Sequence, residues 1–286
     1  MRIMKIVIAI NMIILVVIAT HAQPAQVGEL SPTQTLWLGT GTLFNPAYPG
    51  SDELLVKVVP YVKAEYSTHY FDFFAGVEDG IGVWVKAPDL SDLSLSVAIN
   101  PLGVRRDPKL TQIGDVVLRD ADQVKRFLDG TPTVKSPVEL FGRLALSVPF
   151  GTVSSTVSFL PITADYPQAN LSDKNYTGLT VSADVETNVP LTPQVFLRGS
   201  LGATWMNKDY TEAFFGVAYL TTSLKTFTTG DSNDVHASFA VVSFFTDHIG
   251  VIVSGSASLL LGDAADSPLT KRAFQPEIAA LVFYRF

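Results

Sequence analysis

The sequence predicts an all-β fold, a transmembrane antiparallel β-barrel of about twelve strands with short periplasmic turns and longer extracellular loops. Three observations predict it. Polar and apolar residues alternate with period two along most of the chain, while helical periodicity is nearly absent. The alternating runs reach about 10 to 13 residues, longer than ordinary globular strands and matched to a tilted bilayer crossing. The connections alternate short and long, as they do in outer-membrane barrels. Hydropathy agrees with this: its mean is +0.29, yet no apolar stretch after Ile18 is long enough for a membrane helix. Such a chain is either a large soluble core or a barrel, and the strand pattern favours the barrel.

The N-terminal stretch "MRIMKIVIAINMIILVVIATHAQ" carries Arg2 and Lys5, an apolar run from Ile6 to Ile18, and small residues at Thr20 and Ala22. It reads as a signal peptide spanning 1–22. A short periplasmic segment, 23–33, follows, and the barrel occupies 34–286. Strands are expected near 34–44, 53–66, 69–77, 80–87, 91–100, 136–148, 152–162, 175–188, 194–206, 235–246, 248–261 and 275–286. The pair around Gly76–Gly82 is taken as two strands, because an even count returns the chain to the side where it began. Long loops fall at 101–135, 163–174, 207–234 and 262–274, and "DADQVKRFLD" in the first of these suggests a short helix. Trp37, Trp84, Trp205, Phe283 and Tyr284 lie near strand ends, where interfacial aromatic girdles belong.

Alternation sorts the strand residues by face. Lys57, Lys63, Glu65, Glu139, Arg143, Asp184, Glu186 and Arg198 fall on the polar faces and are the candidate lumen residues. Mixed signs there can pair across the lumen and plug it, or line a narrow pore. In the loops, "NPAYPGSD" offers Tyr48 as a contact residue beside Gly50, and "GVRRDP" offers Arg105 and Arg106 for internal pairing or an anionic headgroup. "GDAADSPL" brings Asp263, Asp266 and Ser267 together. Such a group can hold Ca²⁺, but backbone-amide capping before Pro268 is the favoured reading.

Several function classes are excluded. There are no cysteines, so a lipoprotein anchor, a disulfide scaffold and thiol chemistry are ruled out. Without Arg2 and Lys5 the chain has 18 basic and 27 acidic residues, a net charge of −9 that disfavours nucleic acid as a partner. No metalloprotease, nucleophile-elbow, P-loop or EF-hand pattern occurs. His236 has no catalytic partner at a recognisable spacing, so the expectation is a non-enzymatic protein without cofactor or metal.

The segments "NPAYPGSDELLVKVVPYVKAEY", "YTEAFFGV" (210–217), "LLLGDAADSPLTKRAF" (259–274) and the final "LVFYRF" occur in that order and resemble the MltA-interacting protein (MipA/OmpV) family. The resemblance implies an outer-membrane barrel of a Gram-negative bacterium with no catalytic residues to carry over. It also implies a scaffold role joining a periplasmic murein hydrolase, a lytic transglycosylase, to a murein synthase. A narrow channel or solute-binding barrel is the alternative, and an adhesin acting through the extracellular loops is a third. Tyr284 and Phe286, on one face of the last strand, resemble the C-terminal signal read by barrel-assembly machinery on the way to outer-membrane lipid.

Overall fold

The computed structural model describes residues 33–76, 80–86, 93–100, 105–106, 116–117, 131–166, 172–217 and 225–286. The expected signal peptide, nearly all of segment 23–33 and the helix expected in "DADQVKRFLD" lie outside the described residues.

Twelve long strands form the wall. They are β1 (Thr33–Pro46), β2 (Leu54–Ser67), β3 (Phe71–Gly76), β4 (Gly80–Lys86), β5 (Leu93–Asn100) and β6 (Glu139–Val148). The second half comprises β7 (Gly151–Asp165), β8 (Lys174–Thr192), β9 (Val195–Met206), β10 (Ser232–Phe244), β11 (Ile249–Gly262) and β12 (Phe274–Arg285). Each pairs antiparallel with its neighbours in sequence, and β12 pairs with β1 from Trp37↔Arg285 to Phe44↔Ile278. The barrel is therefore closed, and closure removes the sheet edges that would otherwise template aggregation. Gly76 pairs with Gly80, so the glycine-rich stretch is two antiparallel strands, β3 and β4.

The boundaries depart from expectation in instructive places. The strand expected at 136–148 begins at Glu139, because Pro137 lacks a backbone donor and separates it from a short strand at Thr133–Lys135. That short strand pairs with Thr163–Asp165 at the end of β7 and with Arg105–Arg106. Val116–Val117 pairs with Leu55–Val56 of β2. The long β5–β6 connection is thus hydrogen-bonded to both β7 and β2. β8 runs to Thr192, four residues beyond its expected end at 188, and pairs with β9 from Thr180 to Thr192 with a register shift after Pro190.

Outer and inner faces separate cleanly. Val58, Val97 and Leu201 are 69%, 62% and 65% exposed and form part of an apolar outer belt, as a lipid-facing surface requires. On the inner face at the end of the short turns, Trp37 stacks on Phe283 with ring centroids 5.2 Å apart, and Tyr61 and Phe244 complete the cluster. Trp84 lies under the Arg143 guanidinium. This corrects the girdle assignment: Trp37, Trp84 and Phe283 face inward. The exposed aromatics at that rim are instead Tyr70, Phe71, Phe150, Phe245, Tyr284 and Phe286.

Candidate functional site

The loop between β9 and β10 folds into the barrel mouth as helix α1 (Lys208–Phe215), which sequence reading missed. Asn207 is its N-cap. Its Oδ1 accepts from the Tyr210 amide at 2.9 Å and from the Leu179 amide of β8 at 3.0 Å, while its Nδ2 donates to the Thr177 carbonyl. Phe214 and Phe215 are fully buried against Leu160, Ile162 and Ala164 of β7 on one side, and against Leu260 of β11 and Ala264 on the other. Since β7 and β11 are four strands apart in the ring, α1 bridges across the mouth. Burial pushes the Tyr210 phenol above its ordinary pKa, and the carboxylates of Asp234 and Glu139 act in the same direction, so it stays neutral.

The loop motifs singled out in the sequence converge on this plug. The short helix α2 (Asp263–Asp266) follows β11. Asp263 Oδ2 accepts from the Gly230 amide at 2.5 Å, Ser267 Oγ donates to the Phe215 carbonyl at 2.5 Å, and the same hydroxyl accepts from the Leu269 amide. Asp263 and Ser267 therefore serve the backbone. Gly50 has φ +94°, accepts through its carbonyl from the Lys271 and Arg272 amides, and donates to Gln275 Oε1 at 3.0 Å. A Cβ there would meet Thr270 Oγ1 at 2.7 Å, so both the turn and the close approach demand glycine. Tyr48 is 4% exposed. Its ring is buried rather than presented to a partner, which differs from its reading as a contact residue. Asp266 is the last residue of α2. Arg105 and Arg106 contribute backbone pairing to Lys135 and Val134, and their side chains lie outside the described residues.

Below the plug, the inner face of β6–β12 carries the polar residues in rows set by register. Arg143 of β6 reaches over β7 to Glu186 of β8, a span possible only on the concave face, and also donates to Ser154 Oγ at 2.9 Å. Arg198 donates to the other Glu186 oxygen at 2.8 Å. One row higher, His236 Nε2 meets Asp184 Oδ1 at 2.7 Å and Nδ1 meets Asp234 Oδ1 at 2.9 Å. Only the doubly protonated imidazolium can donate to both at once. Ser182 Oγ also donates to Asp184 at 3.1 Å. Lys63 pairs with Glu65 at 3.0 Å near the turn end, and Lys57 and Glu139 lie on the same face nearer the mouth.

The His236–Asp184 contact crosses β9 at Gly202, which pairs with both. A Cβ on Gly202 would stand 2.2 Å from Asp184 Oδ1 and 2.5 Å from His236 Nε2. Gly202→Ala is expected to displace this pair and cost about 2 kcal/mol, the worth of one hydrogen bond to a charged group. A guanidinium unfolding midpoint in micelles equal to wild type would show that the glycine is dispensable.

Among curated proteins none matches the sequence significantly. The fold is similar to an outer-membrane channel of Pseudomonas putida F1, at 12% identity and TM-score 0.47, covering 93% of this chain and 100% of that one. It is similar to the translocator domain of the autotransporter NalP from Neisseria meningitidis, at 13% identity and TM-score 0.40, covering 99% and 97%. A third likeness is to the β-domain of the Bordetella autotransporter BrkA, at 10% identity and TM-score 0.42, covering 88% and 98%. The family model described as MltA-interacting protein MipA matches residues 38–286, the whole barrel apart from the first residues of β1. The protein is an outer-membrane β-barrel of a Gram-negative bacterium, and the chain belongs to the MltA-interacting protein MipA family.

Proposed function

We propose that this barrel is a non-enzymatic outer-membrane anchor for a periplasmic murein-remodelling enzyme. One observation carries the reading. The β8–β9 hairpin runs past the start of β7: pairing between β7 and β8 ends at Thr152↔Glu186, whereas β8 continues to Thr192. The six extra residues, at about 3.4 Å each, extend roughly 20 Å along the strand. Residues 187–194 are exposed throughout, including Val189 and Leu191 at 42% and 57%. With the start of β1, the end of β12 and the short turns on the periplasmic side, this hairpin offers protein surface where the wall enzymes work. Pro190 interrupts its ladder and lowers the risk of indiscriminate strand pairing. The family description itself names an interaction with MltA, a property of the family's namesake.

A surface of this size predicts a weak, standard-or-smaller interface with micromolar affinity. Surface plasmon resonance with the purified MltA-type transglycosylase of the same cell tests it. Replacing residues 188–194 by Asn-Gly should weaken binding at least tenfold while leaving heat-modifiable migration unchanged. No binding to the intact barrel would sink the reading. A second reading, a narrow solute pathway, is favoured by the polar inner rows, and single-channel recording in a planar bilayer tests it.

A further inference from the structure

We propose that the lumen contains a discrete binding site for a small neutral polyhydroxylated solute, a sugar or polyol of mono- to disaccharide size. The site is one cross-strand row. Register places Glu186 opposite Ser200, Ser200 opposite Ser238, Ser238 opposite Ser256, and Ser256 opposite Glu277. Five successive strands, β8 to β12, thus present three hydroxyls between two carboxylates on the concave face. These residues, together with Arg198 and Ser254 just below the row, line a cavity of about 350 Å³. At about 30 Å³ per water, that is room for roughly a dozen waters, and it lies at the lower end of the range for small-molecule sites.

The chemistry of the row selects the ligand class. Ser200 Oγ and Ser238 Oγ are 2.6 Å apart and hold each other's orientation. Their mutual bond uses one donor, so the pair keeps one O–H donor and several lone pairs for a ligand. Glu186 accepts from Arg143 and Arg198, so its charge is balanced within the wall. Both signs of charge therefore share the lining, Glu186 and Glu277 with Arg198, and Glu186 is further held by Arg143. An anion would face Glu186 and Glu277, and a cation would face Arg198. A neutral molecule bearing many hydroxyls matches an array of serine hydroxyls and carboxylate acceptors without a desolvated charge of its own. The apolar plug, with Phe214 and Phe215 buried, lies above the row. The site does not depend on what the periplasmic hairpin binds, nor on whether the lumen conducts.

Isothermal titration calorimetry of the full-length mature barrel in lauryldimethylamine oxide, whose headgroup carries no sugar, tests the proposal. Glucose, sucrose and trehalose are the probes, with sodium glutamate and lysine hydrochloride as charged controls. At least one sugar should bind while both charged solutes give no saturable heat. The Ser238→Ala/Ser256→Ala variant, with small side chains that the wall accommodates, should bind that sugar at least tenfold more weakly while keeping heat-modifiable migration. Ser254→Ala provides a second, milder removal of one hydroxyl. Silence with all three sugars, stronger binding of a charged control, or a double variant that binds as wild type would each overturn the site.

Discussion

Replacing Phe214 with alanine is expected to unseat the α1 plug while leaving the barrel wall closed. α1 has eight residues, too few to hold a helix in water by propensity alone. Its stability comes from packing, and Phe214, fully buried and 4.8 Å from the Tyr210 ring between centroids, is central to that packing. Truncating such a phenylalanine costs about 3–5 kcal/mol, enough to raise the open population by a factor on the order of 10² to 10³. None of the strand pairings involves Phe214, so heat-modifiable migration should persist. Trypsin should then cut at Lys208 or Lys225 at least a hundredfold faster than in wild type, and bilayer recordings should show larger or more frequent openings. Wild-type cleavage rates would mean that α1 is held by its hydrogen bonds, chiefly those of Asn207, Glu212 and Ser267.

The wall was legible in the sequence because its determinants are local. Period-two alternation needs only a few consecutive residues, and it separated Lys63 and Glu65 from Val62 and Ala64 correctly. The same alternation puts Phe283 on the face opposite Val282 and Tyr284, so the inward position of Phe283 was available from the pattern and lost to a rule about strand ends. The helix α1 also left a signal: Asn207 as N-cap, then Tyr210, Ala213 and Phe214 at helical spacing. The more charged segment 120–129, "DADQVKRFLD", carries the more conspicuous helical pattern. What no local pattern contains is register. Asp184 and His236 are 52 residues apart, and Arg143 and Glu186 are 43. Asp184 and His236 meet only because β8, β9 and β10 align Asp184, Gly202 and His236 in one row, and Arg143 reaches Glu186 across β7, which pairs with both β6 and β8. The convergence of "NPAYPGSD", "YTEAFFGV" and "GDAADSPL" at the mouth was likewise hidden. Each motif lies in a connection between strands, and its partner is another connection 33 or more residues away in the chain.

Glu186→Ala is expected to lower stability by about 3 kcal/mol, most of it through Arg143. The carboxylate accepts from two guanidiniums, but the two arms are unequal. Arg143 is 25% exposed and Arg198 is 60% exposed, against 20% for Glu186. Breaking the better-buried arm leaves a partly desolvated cation facing Ser154 and the Trp84 ring, a loss in the range of about 1.5–3 kcal/mol for a hydrogen bond to a charged group. The exposed arm is worth about 0–1 kcal/mol. Arg198→Ala alone should therefore shift the guanidinium midpoint little. Arg143→Ala should shift it nearly as much as Glu186→Ala, and the double variant Arg143→Ala/Glu186→Ala should be less destabilised than the sum of the two singles, because the second change removes the stranded charge. With the carboxylate gone, two arginines face the same space, so added chloride should recover part of the loss, whereas salt should weaken the wild-type pairs. Strict additivity in the cycle would mean that Arg143 and Glu186 are independent neighbours, and the inner rows would then be a solvated surface rather than a connected wall.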